Sequence, residues 1–185
     1  MIQTTHKGRR ELTAMIALAV LPFVIAFFLF TIFPNEEIAS QNVREGLELE
    51  QVTQINSMVG GGKWRILHLV GDTCDKECRE ALFLTRQTRK ALSKNAGEVD
   101  RIALTNKVLH PDFIELLAQK HRTLYPVLDI EVFSVLLGLV PDGYRGHPVF
   151  LMDPLGKVLM FFSSEELGKP LLKDLRHLLR VSRMG

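Results

Sequence analysis

From Leu12 to Phe33 the chain runs 22 residues without a charge. No other feature limits its folding so strongly. At about 1.5 Å of rise per residue, a helix of that length crosses a hydrocarbon core of about 30 Å. Pro22 inside it is tolerated in a membrane helix. In this reading Phe23, Phe27, Phe28, Phe30 and Phe33 are membrane packing. Lys7, Arg9 and Arg10 precede the run, and Glu36 and Glu37 follow it. The positive-inside rule then keeps residues 1–11 in the cytoplasm and puts everything after the helix outside. A cleaved signal peptide is the rival reading. The run is too long for a signal core, and no small-x-small site follows promptly, so an uncleaved anchor over 12–33 is expected.

Residues 1–33 hold three of the 23 basic residues and one of the 21 acidic ones, so the remainder balances at 20 of each. No polybasic stripe is left, and no nucleic-acid partner is expected. The outer part can pack one domain with a sizeable core. Pro34 to Asn56 is polar and weakly periodic, and reads as a tether with a helical turn or two around Val43–Val52. Gly60-Gly61-Gly62 marks a loop before the domain proper, 57–185, and lacks the context of a phosphate loop.

Cys74 and Cys78 are the only two cysteines. They sit in Val70-Gly71-Asp72-Thr73-Cys74-Asp75-Lys76-Glu77-Cys78, between an apolar stretch and the start of a helical pattern. Two thiols there suit three tasks: holding a soft metal ion, exchanging electrons as a disulfide, or stapling the turn. Outside the cytoplasm a disulfide is their default state. The helix N-terminus lowers thiol pKa, while Asp75 and Glu77 oppose this with negative charge. A reducing or metal-transferring pair therefore fits better than a strong oxidant. In exchange, Cys74 is expected to attack and Cys78 to resolve.

Trp64–Val70 reads as a buried parallel strand. A helix follows over 76–94, with Cys78, Ala81, Leu82, Leu84, Thr85, Thr88 and Leu92 toward the core. Asp100–Thr105 is a second strand, and 111–124 a second helix. Between 125 and 147 the pattern is open; Val132–Val140 suits a helix or an interaction surface. Strands over 148–153 and 157–162 are joined by Pro154-Leu155-Gly156. An amphipathic helix over 164–183 closes the chain, with Pro170 early in it. The order predicts an α/β domain, a central mixed sheet with helices on both faces.

Trp64–Cys78, Gly146-His147-Pro148-Val149 before a strand, and the closing hairpin and helix together resemble the thioredoxin fold. That resemblance implies a cis proline at Pro148, packed against the cysteine loop, with His147 near the thiols. Three residues between the cysteines, where thioredoxins have two, are similar to Sco-type copper chaperones, which are membrane-anchored and serve cytochrome c oxidase. Asp153-Pro154-Leu155-Gly156 resembles their late turn. The stretch from Met152 through Leu172-Lys173-Asp174-Leu175 to Ser182 resembles small single-pass proteins encoded among the cytochrome c oxidase assembly genes of proteobacteria.

The resemblance implies an inner-membrane protein with its C-terminal domain in the periplasm. It implies Cu(I) bound by Cys74 and Cys78 with a histidine, and an oxidase subunit or another assembly factor as partner. His147 is the first candidate for the third ligand. His68 is the second, six residues before Cys74 at the place of the buried acid of thioredoxins. His110, His121 and His177 show no site logic. Two alternatives stand beside copper delivery: a thiol–disulfide reductase of client copper-site cysteines, and a non-catalytic scaffold binding through 132–140.

Overall fold

The computed structural model describes residues 46–55, 57 and 62–182, together with Met15, 18–25 and Phe27. Much of the expected anchor, 12–33, lies outside the described residues. Among those described, no helix is long and apolar enough to cross a membrane. Val43–Gly185 is one compact unit.

Six strands form one sheet: β1 (Leu47–Gln54), β2 (Trp64–Val70), β3 (Val99–Thr105), β4 (Leu124–Leu128), β5 (Val149–Met152) and β6 (Lys157–Phe162). Their order is β1-β6-β5-β2-β3-β4. β2, β3 and β4 are parallel, while β5, β6 and β1 add on antiparallel. The helices are α1 (Lys76–Ala91), α2 (Pro111–Lys120), α3 (Ile130–Leu137) and α4 (Lys169–Val181). Short 3-10 segments, Ser93–Glu98 and Ser164–Glu166, close α1 and precede α4.

Connections explain the layers. From β2 through α1 to β3, and on through α2 to β4, the sheet grows in one direction. Right-handed crossovers then keep α1 and α2 on one face. The chain turns back after β4, and α3 crosses to the other face before β5. The cores agree. Ile66, Val149 and Leu151 pack with Ala81 of α1 and Leu171, Leu175 and Leu179 of α4. Leu67, Leu69, Phe150 and Met152 pack with Val132 and Leu136 of α3. Every residue of β2 is buried, Arg65 and His68 included, in a run that is mostly apolar.

Two expectations need correction, and one open stretch is filled. Residues 47–54, read as tether, are an edge strand paired with β6, and Gly46 N–H donates to Asp174 Oδ2 at 3.0 Å. Burial of β6 and not the strand's own polar pattern decides its place. The open region 125–147 opens with β4 and α3, the latter capped by Asp129, whose Oδ1 accepts from Val132 N–H at 3.0 Å. The bond into Pro148 is trans, since no described peptide bond is cis. Pro148 still abuts β2, its carbonyl accepting from Leu69 N–H at 3.2 Å.

Candidate functional site: a disulfide beside a buried histidine pair

β2 is central, and its C-terminal end delivers Gly71–Cys74 to the mouth of α1. Asp75 caps that helix: its Oδ1 accepts from Cys78 N–H at 2.8 Å. This satisfies one of the free donors of the first turn. Arg79 Nη1 donates to the Cys74 carbonyl at 2.8 Å, closing the loop from the other side. Cys74 and Cys78 form a disulfide, with their Cα atoms 5.3 Å apart. Both are buried, Cys74 at 9% exposure and Cys78 at 5%. They face different spaces. Cys74 lines a cavity of about 340 Å³ with Arg79, His110 and Phe113. Cys78 lines one of about 240 Å³ with Thr73, Asp75 and His147.

The two candidate histidines meet. His68 on β2 is opposite Val149, two residues after His147. That register brings His68 Nδ1 within 3.1 Å of His147 Nε2. On its other side, His68 Nε2 is 3.0 Å from Thr85 Oγ1 of α1. Thr85 Oγ1 also accepts from Arg101 Nε at 3.1 Å and Nη2 at 2.9 Å. Nη2 donates again to the Leu82 carbonyl at 2.6 Å. A hydrogen-bonded chain thus runs from a guanidinium under the sheet to the cavity at Cys78. Tyr144 holds its outer end, donating to the His147 carbonyl at 3.1 Å and accepting from Ser164 N–H at 3.2 Å.

Burial sets the charges. His68 and Arg101 have no exposed surface. Desolvation, then the charges of His147, Arg101 and His121, push the His68 pKa well below its usual value. Burial lowers His147 to about 4, against the opposing pull of Asp75. Arg101 falls to about 9 through burial and the nearby Arg86 and Arg89. His121, buried at the end of α2, falls to about 4 for the same first reason, helped by Arg101. Both candidate imidazoles are neutral at neutral pH.

The structure brings Cys78, His147 and His68 into one neighbourhood, with Cys74 bonded to Cys78. In the disulfide state the sulfurs offer no thiolate to a metal. Among the described residues, no group of three or more His, Cys, Asp or Glu is arranged to hold a metal ion. Reduction would place two soft sulfur donors at a helix N-terminus, a set that suits Cu(I). The sequence reading missed Arg101 and His121. Arg101 alternates with Ile102 in a strand covered on both faces, so a charge at an inward position was the available signal. His121 sits at a helix end, where period alone does not report burial.

Residues 64–182 match the family described as "Transmembrane-like, thioredoxin-like, C-terminal domain". The chain belongs to that family. No curated protein matches its sequence significantly. Among solved structures, the apo Sco1 protein of Thermus thermophilus is similar to this thioredoxin-like chain in fold. Its TM-score is 0.54 at 14% identity, covering 76% of this chain and 99% of that one. BsSco, described as a member of the Sco family of cytochrome c oxidase assembly proteins with a disulfide switch, gives 0.51 at 15%, covering 74% and 97%. Copper-bound ScoI of Arabidopsis thaliana gives 0.48 at 14%, covering 73% and 99%. For the first two, at 14% and 15% identity, the likeness shows the fold alone.

Proposed function

We propose that this thioredoxin-like protein handles Cu(I) for the assembly of cytochrome c oxidase, through Cys74 and Cys78, on the periplasmic side of the inner membrane. One observation carries the reading: two cysteines with three residues between them close a disulfide at the mouth of α1 beside a neutral histidine. In this reading a partner dithiol gives the Cys74–Cys78 disulfide two electrons and two protons and becomes a disulfide itself. The two new thiols release their protons as they take Cu(I), which soft sulfur ligands select. Ligand exchange then passes the ion to an oxidase subunit. The copper is cargo. His147, the expected third donor, stands at the same cavity as Cys78.

The anchor expected over 12–33 holds the domain beside a membrane-bound client and raises its effective concentration. The name of BsSco, a Sco-family assembly protein with a disulfide switch, supports the same assignment. The closed disulfide favours a second reading, a thiol–disulfide reductase that keeps a client's copper-site cysteines reduced.

The test is oxidase activity in cells carrying Cys74→Ser or Cys78→Ser. Loss in both is expected, with recovery on added copper if the protein delivers the ion. Loss without recovery moves the assignment to the reductase. Full activity in both variants removes the cysteines from the function and leaves a scaffold.

A further inference from the structure

We propose that a groove adjoining the Cys78 cavity is the docking site for the partner of the cysteine pair, and that its occupant is an extended segment of that partner carrying lysine or arginine beside its cysteines. The proposal rests on Cys74 and Cys78 being the working pair. It adds the side on which the partner lies and the charge it bears.

The groove has a volume of about 780 Å³, within the range of ligand clefts. Glu77 and Gly146 line it and also line the smaller cavity at Cys78, so the two spaces adjoin. Its floor is apolar, with Ala81 and Leu84 of α1 on one side and the Tyr144 ring on the other. Its far end is Ser163, Ser164 and Glu165, where β6 gives way to the 3-10 segment.

The wall opposite α1 is built in advance. The Tyr144 hydroxyl ties the His147 carbonyl to the Ser164 N–H, at 3.1 and 3.2 Å, and its ring stands edge-on to Phe161 with centroids 5.0 Å apart. Gly146 permits this, since a Cβ there would collide with the Tyr144 hydroxyl and lie 3.1 Å from Ser164 Oγ. Glu166 is committed to the Ser163 N–H and hydroxyl, at 2.7 and 2.8 Å. A groove already held in this way loses little freedom when a segment enters it.

Charge selects the occupant. Glu77, Glu80 and Glu165 are exposed, and none forms an ion pair among the described residues. Among those residues, no basic side chain lines the groove. The other side of the bridge differs, for there Arg79 and His110 stand with Asp112 around the Cys74 cavity. A partner's cysteines arrive on a chain, and the residues flanking them must cross what borders Cys78. That border is acidic over an apolar floor. An extended chain sends alternate side chains to one face, about 7 Å apart. Glu77 and Glu80, three apart on α1, have Cβ atoms about 5–6 Å apart. Two cations at alternate positions therefore meet both carboxylates, whereas an acidic segment meets like charge.

The experiment follows the opening of the Cys74–Cys78 bridge in the oxidised full-length chain, in non-ionic detergent, by two synthetic dithiol peptides. One has lysines at alternate positions beside its cysteine pair, the other glutamates. The peptide thiols give two electrons and two protons and become a disulfide as the bridge becomes two thiols. At low salt the lysine peptide should react about tenfold faster, and the ratio should shrink at 1 M salt. The peptides' own reactivities are the same against every variant, so the change in ratio is what counts. In Glu80→Gln/Glu165→Gln the ratio should fall about threefold or more. Glu115→Gln/Glu131→Gln, which removes two charges from α2 and α3, should leave it as in the parent. Equal ratios in all three proteins overturn the proposal, and so does an equal fall in both variants, which would report net charge alone. A bridge opened by dithiothreitol but by neither peptide also overturns it. A bridge that dithiothreitol leaves closed removes the working pair and this docking site with it. If the reduced chain takes up no Cu(I), the copper reading fails, and the ratio still decides the docking site.

Discussion

His147 and His68 are held neutral because a buried imidazolium loses its water, a loss that outweighs the pull of Asp75 on His147. The unfolded chain meets no such penalty, so its histidines take up protons near the ordinary value of about 6.5. Between that value and the folded value of about 4 for His147, the unfolded state binds more protons. Stability is therefore full above pH of about 6.5 and falls on acidification toward 4. The slope is at most about 1.4 kcal/mol per pH unit for each such group. Urea unfolding at pH 7 and at pH 5 measures it. His147→Gln should flatten the dependence, and an unchanged dependence would mean that His147 is not held neutral by the fold.

At the scale of elements, the start of α1 decides how the cysteines are presented. Asp75→Ala removes the acceptor of the Cys78 N–H and should cost about 1 kcal/mol, with Asp75→Asn close to the parent. Chemical denaturation of the oxidised forms checks it; equal stability of parent and alanine variant would show that the cap is idle. The elements legible in the sequence were those with strong apolar patterns. β2, α1 and the 153–156 turn fall where periodicity and turn residues put them, and α4 lies inside the helix expected over 164–183 but begins only at Lys169, after a 3-10 turn. β1 escaped because its pairing with β6 is a tertiary fact, invisible in a polar segment. β4 escaped because its residues are mostly exposed along the sheet edge, so no buried run announced it. The candidate site was half legible. Cys74, Cys78 and His147 follow from spacing and from a resemblance, while the link from His68 through Thr85 to Arg101 needs the register of β2 against β3 and α1.

For the molecule as a whole, the disulfide is a small part of what holds the domain together. It closes a loop of a few residues, which removes little freedom from the unfolded chain, of the order of 2 kcal/mol. The sheet, by contrast, is covered on both faces by continuous apolar cores. The reduced protein should therefore stay folded with a modestly lower melting temperature, as a pair that cycles between states requires. Melting followed by circular dichroism, with and without reductant, reports this. Unfolding at room temperature on reduction would make the bridge structural and would leave no folded dithiol to receive copper. The most direct measurement is a titration of the anaerobically reduced full chain with Cu(I) against a competing chelator, beside Cys74→Ser. The account predicts tight binding of one ion per chain, lost in Cys74→Ser. Binding no stronger than that of the variant would contradict it.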